Sequence, residues 1–178
     1  MNRLMYLWLV RKQLWAMGGL LLIGIGGRLL PHPPNFTPLE ALALYSGAWI
    51  RPWWAALAVP LTVMALTDAL LGWHALWPFT WGGMLAGVFL GRWLLQPGSW
   101  YAAAGLGLTQ STLFFLLSNF GVWLQGHYGY TFAGLLACYL AAIPFFHYQA
   151  LGALTYTTLG WLIERYLFPI LQARVSAA

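Results

Sequence analysis

Only 8 basic and 3 acidic side chains are spread over 178 residues. So few charges cannot coat a soluble domain, in which about a quarter of residues are charged. With 61% of residues hydrophobic and a mean hydropathy of +0.71, the expected class is an all-α integral membrane protein. It is expected to form a single transmembrane domain over residues 1–178, multi-pass in the cell inner (plasma) membrane. The basic residues stand singly, whereas nucleic-acid binding needs them clustered, so no nucleic-acid partner is expected. The single Cys138 lies in the apolar run AGLLACYLAAI and reads as a packed thiol.

A bilayer crossing takes about 20 apolar residues at roughly 1.5 Å each. Apolar runs place helices near 4–30, 38–50, 53–72, 79–96, 99–118 and 147–168. The first has a basic start but no small-residue cleavage site after it, and reads as an uncleaved helix. Residues 131–146, closed by Pro144, are short for a span. They read as a re-entrant or interfacial helix, or as the first limb of a kinked last helix. Thr37-Pro38-Leu39-Glu40 matches a capping box, with the Thr37 hydroxyl accepting from the Glu40 N–H and Glu40 reaching back. RPWW at 51–54 and QPGSW at 96–100 mark tight turns. With six spans and the N-terminus inside, Arg3, Arg11, Lys12, Arg51, Arg92, Arg165 and Arg174 fall on the inner side and only Arg28 on the outer. That asymmetry follows the positive-inside rule.

The same orientation gathers His32, His74, His127 and His147 at the outer end, with Asn35, Glu40, Asp68, Asn119, Gln125 and Arg28. Three outer segments, 31–37, 73–78 and 119–131, carry nearly all the chemistry. An acid inside an apolar helix is costly unless paired; Asp68 is such a residue, and Arg28 is its natural partner. The Asn119 amide offers two donors and an acceptor, beside glycines at 121, 126 and 129 that would let the loop act as a lid. The candidate ligand-binding set is Arg28, His32, Asn35, Phe36, Asp68, Trp73, His74, Asn119, Trp123 and His127. These are expected to line one outward-facing cavity with Asp68 near its floor. Gly83, Gly87 and Gly91 lie four apart, as do Ala103, Gly107 and Ser111 on the next helix; the spacing suits close packing of these two neighbours. The sequence has no phosphate-binding loop, His-Glu-x-x-His motif or Gly-x-Ser-x-Gly elbow, so no enzymatic activity is expected.

The stretches HPPNFTPLEALALYSGAW, the third-helix Asp followed by LGWH, FFLLSNFGVWL and GLLACYLAAIPFF resemble a widespread family of small bacterial membrane proteins. That family is similar to the substrate-binding S-components of energy-coupling-factor (ECF) vitamin transporters, and the likeness covers most of residues 20–165. The resemblance implies six helices with both termini cytoplasmic and an outward pocket built from loops 1, 3 and 5. It also implies uptake of a small micronutrient, energised by a transmembrane coupling subunit and cytoplasmic ATPases, with no resident cofactor. Two features depart from the pattern. The first helix offers Gly18, Gly19, Gly24, Gly26 and Gly27 without the Ala-xxx-Ala coupling register. The chain begins Met-Asn-Arg where the cobalt and nickel relatives begin Met-His, which favours an organic ligand (a vitamin or precursor, a corrinoid included) over a metal ion. Two other classes stay open on the residues: a structural subunit of a membrane complex, and a haem electron-transfer subunit with two His as axial ligands.

Overall fold

The structure, a computed structural model, describes residues 3–177, without the side chains of residues 3–7, 172 and 174–177; the side chains of the expected inner cations Arg3 and Arg174 therefore lie outside the described residues. Among the described residues every regular element is helical. The order is α1 (Arg3–Leu29), α2 (Leu39–Trp49), α3 (Trp53–Leu71), α4 (Trp77–Leu94), α5 (Trp100–Leu124) and α6 (Phe132–Leu162), which continues through a π turn (Ile163–Leu167) into α7 (Phe168–Ala177). Two stretches, Trp53–Leu71 and Phe132–Leu171, are long and apolar enough to cross a membrane. The connections bearing His32, His74 and His127 share one end of the bundle, called here the histidine-bearing end.

The hub is α2. All but Ala48 of its 11 residues are buried, as befits a helix with apolar residues on every face, and it packs against α1, α3, α4, α5 and α6. The Tyr45 hydroxyl donates to the Thr157 carbonyl at 2.6 Å, and its ring fills the space left by Gly160. Ser46 donates to the Ala56 carbonyl, tying α2 to α3. Eleven residues make a helix of about 16 Å, against 25 residues in α5 and 31 in α6. The shortfall leaves space at the first turn of α2, between its longer neighbours.

The α4 glycines act within the chain. A Cβ at Gly91 would run into the Leu44 carbonyl, one at Gly87 into Ala43 and Gln110, and one at Gly83 into Phe114. The stripe thus beds α4 on both α2 and α5. The second small-residue stripe, expected against α4, faces α6 instead. Gly107 lies against Thr157 and Ala153, and the Ser111 carbonyl accepts from Gln149 Nε2 at 2.7 Å.

Three other expectations change. First, α5 runs to Leu124 rather than 118, because the start of α6 supports its last turns. Tyr139 Oη donates to the Leu116 carbonyl at 2.7 Å and the buried Cys138 thiol to the Asn119 carbonyl at 3.5 Å. Asn119 and Trp123 are therefore helical, and the loop shrinks to 125–131. Second, the last helix starts at Phe132 rather than 147: of the readings open for residues 131–146, the structure takes the first limb of one last helix running through Pro144. Third, the capping box does not form. Pro38 is the N-cap and makes no side-chain bond; its ring fills the space beside Gly27 of α1, so packing between helices sets the start of α2. By contrast Ser99 does cap α5, accepting from the Ala102 N–H at 3.2 Å.

Among the described residues α1 makes no close approach to α6. An apolar groove of about 660 Å³ runs between them over Tyr45 and Trp49, and Phe168 meets Trp49 edge-on at 5.0 Å.

Candidate functional site

The chain leaves α1 through Leu30-Pro31-His32-Pro33-Pro34-Asn35. The Phe36 N–H bonds the Pro33 carbonyl at 3.0 Å with Asn35 at φ 62°. Pro followed by a left-handed residue is a type II turn, and Asn is one of the few residues other than Gly that accepts that conformation. Past the turn, Phe36 and Thr37 cross α6 at Gly152, where a Cβ would crowd their backbone, and the Phe36 ring packs on Tyr156 at 5.7 Å.

Above the first turn of α2 lies a partly open cavity of about 310 Å³. Arg28, Asn35 and Glu40 form one side, and His74, Thr80 and Met84 a second. Phe114, Phe115 and Asn119 of α5 form a third, and Phe145, Phe146 and Gln149 of α6 a fourth. Phe115 and Phe146 pack at 4.8 Å.

Behind this wall sits Asp68, 1% exposed. Arg28 Nη1 lies 2.6 Å from its Oδ1, and Trp81 Nε1 donates to Oδ2 at 2.8 Å. His74 Nε2 is 3.6 Å from that second oxygen, and the same Arg28 nitrogen donates to Thr67 Oγ1 at 2.7 Å. The expected Arg28–Asp68 pair is present. Both carboxylate oxygens are engaged, so Asp68 is a support for the wall and not the cavity floor.

Of the expected set, Arg28, Asn35, His74 and Asn119 line the cavity. The others do not. His32 is exposed, its Nδ1 2.8 Å from the neighbouring Pro33 carbonyl. Trp73 is exposed and stacks on Trp81 at 5.9 Å. Trp123 donates to the Gly129 carbonyl at 2.9 Å and so braces the α5–α6 loop, while His127 is exposed in that loop. Phe36 is occupied by Tyr156. The His147 ring lies on an exposed part of α6 beside Tyr148.

Of the lining residues outside the expected set, two carry a buried carboxyl or amide, Glu40 and Gln149. Glu40 is 2% exposed, and its Oε2 has no hydrogen-bond partner among the described residues. Its capping-box spacing suggested a local role, yet the cap is absent and the residue lines the cavity instead. Gln149 is a lone amide in the apolar stretch FFHYQALGAL, a signal as strong as Asp68 gave. The Nδ1 of His74 is also buried without a partner among the described residues. Among those residues no cluster of three or more His, Cys, Asp or Glu could hold a metal ion.

A model for a family of unknown function, DUF6580, matches residues 9–167. The chain belongs to that family. No curated protein and no solved structure matches it. All the cavity residues named above fall within the matched segment.

Proposed function

We propose that the chain is a six-span membrane-embedded binding component that takes up a small organic micronutrient, in the manner of the ECF S-components its motifs resemble. On this reading the histidine-bearing end faces outward, and a separate transmembrane coupling subunit and cytoplasmic ATPases supply the energy. The observation that carries the proposal is the cavity of about 310 Å³ at that end. It combines an aromatic wall with a few converging polar groups, the usual make-up of a small-molecule site. The scarcity of charge and the basic residues of the opposite end support the membrane placement.

Native mass spectrometry of gently purified protein tests it. A retained small organic molecule is expected, with retention reduced by Asn119→Ala while the helical circular dichroism is unchanged. Losing one hydrogen bond to a buried ligand group costs on the order of 1–3 kcal/mol. A stoichiometric haem absorbance, or repeated absence of any retained molecule, overturns the proposal.

A further inference from the structure

Resting on that reading, we infer that the cavity selects an organic cation: a small, partly aromatic molecule carrying a protonated nitrogen that binds to Glu40. The starting point is the balance of charge. The one cation on the wall, Arg28, is already held by Asp68 at 2.6 Å. Besides the His74 imidazole, what remains is an acid, Glu40, 2% exposed, with Oε2 unpartnered among the described residues. A buried polar group without a partner is costly, most of all one that can carry charge, and a donor on a guest removes that cost.

The neighbours favour the same guest. Asn119 commits an amide N–H to the Phe115 carbonyl at 2.8 Å and Gln149 one to the Ser111 carbonyl at 2.7 Å. Their carbonyl oxygens are pure acceptors, suited to N–H groups on a guest. Phe114, Phe115, Phe145 and Phe146 line the cavity, and aromatic faces attract cations. The first turn of α2 would favour an anion by its dipole, but Glu40 occupies that turn and offsets it.

The test uses three probes of one shape on the full-length protein in lipid nanodiscs at neutral pH: benzylamine (protonated), benzyl alcohol (neutral) and benzoate (anionic). Binding is read from tryptophan fluorescence. The unaltered protein is expected to bind benzylamine at least about tenfold more tightly than either of the others, the scale of one charge-assisted hydrogen bond. Glu40→Gln, nearly the same shape, is expected to abolish that preference while changing benzyl alcohol affinity less than about twofold. The comparison on the unaltered protein needs no variant, so it decides the matter even where Glu40→Gln fails to fold. Equal binding of all three, preference for benzoate, no binding of any probe, or a folded Glu40→Gln that keeps the preference overturns the inference. A retained neutral or anionic molecule in native mass spectrometry overturns it too, while leaving the binding-component reading intact.

Discussion

At Asn35 a backbone in the left-handed region coincides with a side chain on the cavity wall, so Asn35→Ala alters both at once. The lost tolerance of positive φ should lower stability by about 1–2 kcal/mol, read as an earlier thermal transition by circular dichroism. Asn35→Gly keeps the turn and removes only the amide, so it should melt close to the parent protein and is the cleaner probe of binding. An Asn35→Ala protein as stable as Asn35→Gly would show that the turn does not need the left-handed residue. For Arg28 and Asp68, Asp68→Asn and Arg28→Gln should be strongly non-additive, with a coupling of about 1–3 kcal/mol. The reason is that either change alone strands a partner behind the wall, where Asp68 is 1% exposed. Additive melting temperatures across the four proteins would refute the coupling.

Between elements, the glycines separate into two kinds. Nothing lies within 4 Å of a Cβ placed on Gly18, whereas one on Gly91 meets the Leu44 backbone. Gly91→Ala should therefore cost about 1–3 kcal/mol or more by overpacking, and Gly18→Ala should be neutral or slightly stabilising, up to about 1 kcal/mol. Comparable thermal shifts for the two would mean that α2 and α4 can part without penalty. The α4 stripe was legible in the sequence as a spacing, but not its partner, because spacing says how closely a helix can be approached and not by which neighbour. The helices themselves were legible from apolar runs cut by Pro and Gly. The end of α5 was not: Ser118, Asn119 and Gly121 look like loop, and only the support of Tyr139 and Cys138 keeps that stretch helical. Glu40 was misread for a related reason. Thr37 and Glu40 match a local pattern, and the packing of Pro38 against α1 prevails over it. Arg28 and Asp68 could be paired from sequence because a lone outer cation and a lone acid in an apolar helix leave few alternatives.

For the whole molecule, the six-span reading makes a directional prediction. On a Cys138→Ser background, His127→Cys should react with a membrane-impermeant maleimide in intact cells, and Pro97→Cys, in the turn at the opposite end, should not. Both positions are exposed, so equal labelling or the reverse pattern would refute the orientation. The bedding of α4 on α2 has one more consequence. Where two helices meet backbone to backbone, neither can slide or roll without a collision, so the Glu40 side of the cavity behaves as a fixed jaw. The opposite jaw is made of phenyl rings at 114, 115, 145 and 146, which change shape by rotation about single bonds and by substitution of one side chain at a time. Evolution toward a bulkier guest should therefore rewrite those four positions and leave Gly91 untouched.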